Sequence, residues 1–374
     1  MSRRDIIVIG ASAGGFEALK TLAAGLPSDL PASIFIVWHM SPNVRGILPQ
    51  VLNRSRTLYA SHAFDREPIE PGRIYVAPPD YHLLLENSHV LVTRGPKENR
   101  FRPAIDPLFR SAAYHYGPRV IGIVLSGALD DGTSGLWTVK QRGGVAVVQN
   151  PSDAEVPSMP ESAMREVDVD HVVRVAELPD LLVRLTREEI NETGEAVMEP
   201  DERETKKTET EIQIAAEDTA LDRGVMDFGG LTPYTCPDCH GVLSAIFDGK
   251  LKRFRCHTGH AFSTDSLLTA LTGNIEDSLW NAIRGVDESI ILLNHMGDHF
   301  AEVNEPRLAA LYFTKAKEAS SRNELIRRAV FSHEQLSKDL LRREAEEMEG
   351  DDRISGSSIG DTASDRHEET SAKT

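Results

Sequence analysis

Short runs of β-branched apolar residues recur through the first 190 positions, with amphipathic helical stretches between them. The runs at 6–9, 33–37, 74–77, 120–125, 145–148 and 171–175 are almost continuously apolar. A strand with one wet face would alternate, so these read as strands buried on both faces. Helical patterns at 16–24, 46–53, 107–116, 135–142 and 161–165 fill the intervals. The alternation predicts an α/β fold with a doubly wound, mostly parallel sheet over residues 1–190. Residues 83–85 and 89–92 bracket Glu86-Asn87-Ser88 and predict a β-hairpin on the sheet edge.

The composition then changes. Residues 191–230 are rich in acid, Thr and Lys, which predicts a solvated acidic linker, helical in part. Residues 231–262 hold all three cysteines. Residues 263–348 read as an antiparallel helical hairpin. Leu279, Ile283, Val286, Ile290, Leu293 and Phe300 repeat at coiled-coil spacing, with Gly297 breaking the seam. After Asn304-Glu305-Pro306, a second stripe runs through Leu308, Tyr312, Ala316, Ala319, Ile326 and Val330. Such stripes pack on each other and could also join two copies into a homodimer through 263–348. Residues 349–374, rich in Ser, Asp and Gly, are expected to be a disordered tail. The net charge of −17 opposes nucleic-acid binding by the whole chain. No run of eighteen apolar residues occurs, and the opening run at 6–9 is too short for a signal peptide. A cytoplasmic protein is expected, one that meets a membrane only through a partner.

Gly10-Ala11-Ser12-Ala13-Gly14-Gly15 lies between the first predicted strand and helix and contains Gly-x-Ser-x-Gly. A sharp strand-to-helix turn pushes a serine hydroxyl out of the sheet, and free N–H groups at a helix start can hold an oxyanion. A Gly-rich turn also suits a phosphate or dinucleotide, but Gly-x-Gly-x-x-Gly and a Walker lysine are both missing. His39 follows the second strand, and Asp130 and Asp131 follow the strand at 120–125. Open α/β sheets place their sites at these strand ends. A hydroxyl, an imidazole and a carboxylate on one rim meet the needs of a nucleophilic triad. Each also has a plainer use, as turn residue, core histidine and helix cap.

This segment resembles the catalytic domain of the CheB-type chemotaxis protein-glutamate methylesterases. The resemblance rests on residues 10–15, Trp38-His39-Met40, residues 102–109, residues 125–132 and Met159-Pro160-Glu161-Ser162-Ala163, in that order. It implies Ser12 as nucleophile, His39 as base and Asp131, the carboxylate directly before Gly132, as orienting acid. It also implies an oxyanion site at the backbone of Ala13, Gly14 and Ala128. The expected reaction is hydrolysis of glutamyl methyl esters on chemoreceptors, with deamidation of glutamine as a second capacity and no catalytic cofactor. Family members commonly carry Thr where this chain has Ala13 and Met where it has Ala128, which bears on rate or substrate preference. They usually begin with a receiver domain. Here the first strand starts at residue 6, so a receiver-less form with a C-terminal extension is expected. Arg94, Lys97, Arg100 and Arg102 could steer an acidic receptor surface, with Arg100 and Arg102 nearest the matched motif. The competing reading is a non-catalytic scaffold that keeps the fold and binds partners through its C-terminal modules.

Cys236-Pro237-Asp238-Cys239 is a Cys-x-x-Cys knuckle, and Cys256-His257-Thr258-Gly259-His260 follows 17 positions later. That is zinc-ribbon-like spacing over 231–262. Three thiolates need one imidazole to close a tetrahedral site. His260 is the preferred fourth ligand, with His257 as the alternate. Four protein ligands would make such zinc structural. Lys250, Lys252, Arg253 and Arg255 offer a basic run, but few aromatics accompany it, and no nucleic-acid partner is expected.

Overall fold

The computed structural model describes residues 2–40, 46–190, 201–217, 219–338 and 340–345. The expected tail at 349–374 lies outside them, as do residues 191–200 of the expected linker. The chain opens with β1 (Ile6–Ala11), α1 (Gly15–Gly25), β2 (Ser33–Trp38), α2 (Leu48–Leu52), β3 (Tyr59–His62) and β4 (Arg73–Val76). Next come β5 (His82–Glu86), β6 (His89–Thr93), α3 (Ile105–Tyr116), β7 (Val120–Val124), α4 (Thr133–Gln141) and β8 (Val145–Gln149). The unit closes with α5 (Ser158–Glu166), β9 (His171–Val173) and α6 (Leu178–Arg187).

Seven of these strands form a parallel sheet in the order β3-β4-β2-β1-β7-β8-β9. Successive β1 residues face opposite cores. Ile7 and Ile9 pack with Leu19, Leu22 and Leu182, while Ile6 and Val8 pack with Leu108, Phe109 and Leu136. Both faces are covered, which is why the strands read as unbroken apolar runs. The order reverses at β1, between β2 and β7. A crevice therefore opens beyond the C-terminal ends of these three strands.

Two sequence expectations are corrected. The hairpin does not extend the main sheet, because β5 and β6 pair only with each other. Leu83, Leu85 and Val90 pack against Leu108 and Phe109 of α3, while Leu84 and Leu91 face Ile212 and Ala215. Those last two residues lie on α7 (Glu202–Ala215), inside the stretch expected to be a solvated linker. What differs is the solvation: two charged residues of this helix, Lys207 and Glu211, are buried and ion-paired rather than hydrated.

A second sheet is antiparallel and runs β10 (Gly230–Thr235), β11 (Val242–Asp248), β12 (Leu251–Cys256) and β13 (Ala261–Ser263). It leads directly into α8 (Thr264–Glu302) and then α9 (Pro306–Phe331). The expected stripes face each other, with Ile283, Ala316, Ala319 and Val330 buried. Gly297 does not break the seam. A Cβ there would stand 2.6 Å from the Phe313 ring, so its lack of a side chain admits that ring.

Charged groups join the second sheet, α7 and the catalytic unit. Arg253 makes a two-pronged bond to Glu211, at 2.9 Å on each oxygen. Arg255 reaches both Glu98 and Glu211 at 2.8 Å, and Arg110 of α3 holds Glu98 at 3.0 Å. All five residues are buried. Burial alone would raise the carboxyls, but the guanidinium charges bring Glu98 down to about 2 and Glu211 well below its usual range. Two members of the basic run therefore point inward. Removing one partner of such a network strands the others. Glu211→Ala is expected to cost about 3–5 kcal/mol. The loss should appear in thermal melts and as faster proteolysis between α7 and β10.

Candidate active site

The turn after β1 is tied to the end of β7. Ser12 N–H donates to the Ser126 carbonyl at 2.9 Å, and Ser126 Oγ donates to the Ala13 carbonyl at 2.7 Å. Gly14 caps α1 at φ +74°, and a Cβ there would stand 2.6 Å from both Glu155 Cβ and Ser126 Oγ. Only glycine meets both demands. Gly127 is equally confined, since a Cβ on it would lie 2.8 Å from Ser12 Cβ. Ser12 is thus held at the mouth of the crevice, with the start of α1 behind it. Ala13 and Gly14 line the same cleft, and Ala128 follows Gly127 in an exposed position.

His39 and Asp131 meet below this turn. His39 Nε2 and Asp131 Oδ2 are 2.8 Å apart and both side chains are buried. Asp131 Oδ2 also accepts from Ile105 N–H at 2.7 Å. Its Oδ1 accepts from Asn99 Nδ2 at 2.9 Å and Gly132 N–H at 3.0 Å. Burial pushes this carboxyl up, but the hydrogen bond and charge of His39, with the Ile105 and Asn99 donors, carry it below the usual range. An ionised Asp131 requires the proton on Nε2, which leaves Nδ1 as the basic nitrogen. Nδ1 is buried and has no hydrogen-bond partner, so the Ser12 hydroxyl is not bonded to it in this resting arrangement. Catalytic hydrogen bonds often close only when substrate is bound. Phe101 stacks on the imidazole, with centroids 3.8 Å apart and planes 8° from parallel.

The cleft, of about 490 Å³, is lined by Ser12, Trp38, His39, Lys97, Arg100 and Arg102 among others. The basic run therefore does border the site. Arg102 is committed to Asp80 and to the Gly95 carbonyl, and Arg94 to the same Asp80. Arg100 is exposed on the rim.

A family model described as CheB methylesterase matches residues 7–182. A relative from Leptospira interrogans (strain Fiocruz L1-130) is 38% identical over 189 residues, which is 50% of this chain and 98% of that protein. The chain belongs to the CheB methylesterase family. A second family member, from Anaeromyxobacter dehalogenans (strain 2CP-C), is named protein-glutamate methylesterase/protein-glutamine glutaminase 2. It is 37% identical over 186 residues, covering 50% of this chain and 54% of that one. The solved catalytic domain of Thermotoga maritima CheB methylesterase is 34% identical, with a TM-score of 0.47, and covers 50% of this chain and all of that one.

Within this family member, sequence reasoning missed Asn99, Phe101 and Asp106. Asp106 accepts from Asn99 Nδ2 at 2.9 Å and from Gly135 N–H at 2.7 Å. Burial and then the charge of Asp131 raise Asp106 well above the usual carboxyl range. The two neighbouring carboxyls are thus pushed in opposite directions. No local pattern announces these residues, because their partners lie on other elements. Asp130 turns away from His39 and accepts from Ser263 Oγ at 2.6 Å.

Cys236, Cys239, Cys256 and His260 bring their ligand atoms within 4.8 Å of one another, and His257 stays outside this group. Cys239 Sγ–Cys256 Sγ is 3.6 Å, and His260 Nδ1 is 3.7 Å from the sulfurs of Cys236 and Cys256. Those three distances match edges of a tetrahedron about an ion with bonds of about 2.0–2.3 Å. The donor set therefore fits one tetrahedral metal ion.

Burial raises the Asp130 carboxyl to about 7, with Asp265 and Asp131 adding to it against the Ser263 bond. A raised carboxyl costs stability as pH climbs from the unfolded value to the folded one. Asp130→Asn keeps the acceptor and removes the charge. It is expected to stabilise the fold at pH 8 by on the order of 4 kcal/mol, read as a higher melting temperature, with the gain vanishing near pH 4.

Proposed function

We propose that this chain is a protein-glutamate methylesterase acting through Ser12, His39 and Asp131. One observation carries the reading: the buried, 2.8 Å pairing of His39 with Asp131 beside the cleft that Ser12 opens into. Ser12 Oγ attacks the carbonyl of a glutamyl methyl ester while His39 Nδ1 takes the hydroxyl proton. The tetrahedral oxyanion falls near the amides of Ala13, Gly14 and Ala128. The C–O bond breaks, and methanol leaves with the proton from His39. Water then attacks the acyl-serine by the same route and frees glutamate. A glutamine side chain can enter the same sequence with ammonia as leaving group. Ala13 and Ala128 leave only backbone donors at those two positions. The substrate is a methyl-accepting receptor helix, whose acidic surface suits Lys97 and Arg100 at the rim. A scaffold role without catalysis would have no use for a donor set built around Asp131.

Zinc is the ion that suits three thiolates and an imidazole, held by Cys236, Cys239, Cys256 and His260. All four positions are protein ligands, so the ion would tie the two knuckles together and take no part in the reaction. The outward apolar residues of α8 and α9, such as Ile291, Leu292, Leu311 and Leu325, are the surface on which a second copy would pair. No described helix is long and apolar enough to cross a membrane, in keeping with a cytoplasmic enzyme that reaches membranes through its receptor.

Two measurements test this. Methanol release from a methylated receptor is expected to fall by at least about 10³-fold in Ser12→Ala; equal release by both proteins would remove the esterase reading. Elemental analysis of the purified chain is expected to find about one zinc per chain, and none in Cys239→Ser. An intact metal content in that variant would dismiss the assignment.

A further inference from the structure

The turn that carries Asn99 belongs to two structures at once. Glu98 and Phe101 exchange backbone bonds, at 3.3 and 2.9 Å, across Asn99 and Arg100. Both central residues have positive φ, +49° and +75°, as in a type I′ turn, where asparagine is favoured. On one side the turn meets the active site. On the other it continues the second sheet. Ala261 N–H donates to the Lys97 carbonyl at 3.2 Å, and Asn99 N–H donates to the Ala261 carbonyl at 2.8 Å. Ala261 directly follows His260, the histidine of the metal-binding group.

The Asn99 amide divides its bonds along the same line. Its NH₂ group donates to Asp131 and Asp106, at 2.9 Å each. Its Oδ1 accepts from Ser263 N–H at 2.8 Å and Ser266 Oγ at 3.1 Å, at the start of α8. Reversing the amide would put an oxygen against two carboxyls and an NH₂ against an N–H, so chemistry fixes its orientation. Every bond Asn99 makes to the triad side comes from its nitrogen, and every side-chain bond to the C-terminal module comes to its oxygen. Buried networks of this kind move as units.

We propose that Asn99 is a positioning residue through which the Cys/His module sets the Asp131 carboxylate, and that metal binding at that module thereby controls esterase turnover. The route is short: His260, Ala261, the turn at Asn99, Asp131, His39. An intact module holds β13 and the start of α8 against the turn. Loss of the metal frees the knuckle at His260, and Asn99 loses the partners that aim its NH₂ group. The sheet of β1–β4 and β7–β9 does not depend on those contacts, so it persists while the triad loosens. The proposal rests on the esterase reading above for its effect on turnover, but the hydrogen-bond relay itself does not.

The test uses the full chain and two readouts, steady-state ester hydrolysis and the far-downfield proton resonance of the His39–Asp131 hydrogen bond. Asn99→Ala is expected to lower kcat by about 10–100-fold with KM within about twofold, the size typical of a lost orienting partner, and to move the downfield resonance. Ser266→Ala leaves the metal ligands and the His39–Asp131 pair in place and removes one of the two bonds that Asn99 Oδ1 accepts. It is expected to shift both readouts in the same direction by less, and to add nothing in the Asn99→Ala background. Chelation is expected to reproduce the Asn99→Ala resonance while the far-ultraviolet signal of the parallel sheet remains. Wild-type kcat and an unmoved resonance in Ser266→Ala and after chelation would overturn the relay, as would fully additive losses in the double variant. A wild-type chain that releases no methanol would instead defeat the esterase reading, and the resonance would still decide the relay.

Discussion

The site is built around one buried negative charge. Asp131 can stay ionised in the interior only because N–H groups from four residues converge on it: the His39 ring, the Asn99 amide, and the backbone at Ile105 and at Gly132. Ile105 opens α3, so the helix contributes its free N–H and the positive end of its dipole. This requirement ties together β2, which delivers His39, the strand β7, which delivers Asp131, and the turn at 98–101. Removing any of them would leave a charge in the core without its donors.

The C-terminal module is attached by the same currency of charge and hydrogen bonding rather than by an apolar face. Arg253, Arg255 and Arg110 meet Glu98 and Glu211 in an interior where each guanidinium fork has a geometric match. Such networks contribute modestly to net stability, because desolvation offsets much of the attraction. Their effect here is register. Glu98 neighbours Asn99 and Arg255 neighbours Cys256, so the ion pair between them sets how the turn sits against the Cys/His knuckle. Ser134 at the start of α4 adds a bond to Asp248 at 2.7 Å, and Lys207 of α7 reaches that carboxyl at 2.8 Å.

How much of this was legible in the sequence follows from the range of each interaction. The apolar runs gave the parallel strands, since burial on both faces leaves a local trace. Strand ends then pointed to Ser12, His39 and Asp131, and the resemblance chose Asp131 over Asp130, which in fact caps outward onto Ser263. The knuckle spacing favoured His260 over His257, and the structure groups His260 with the cysteines. β3 was missed because its half-exposed Tyr-Ala-Ser-His run carries little apolar signal. The burial of α7 was misread because buried ion pairs look like solvated charge when partners more than 40 residues away are unknown. Asn99, Phe101 and Asp106 escaped for the same reason.

The arrangement of the two neighbouring carboxyls explains why Asp131, and not Asp106, serves the histidine. Both are buried, both accept from Asn99, and both accept backbone N–H bonds. The two are pushed apart, Asp131 below the usual carboxyl range and Asp106 well above it. Asp131 pairs with the His39 ring, whereas Asp106 accepts from the Asn99 amide and the backbone of Gly132 and Gly135. Asp106 then braces α3, fixing the N-terminus of that helix against Gly132 and keeping the Ile105 amide aimed at Asp131. A single asparagine between the two carboxyls can therefore orient both, and its own oxygen is free to answer to the module on the far side.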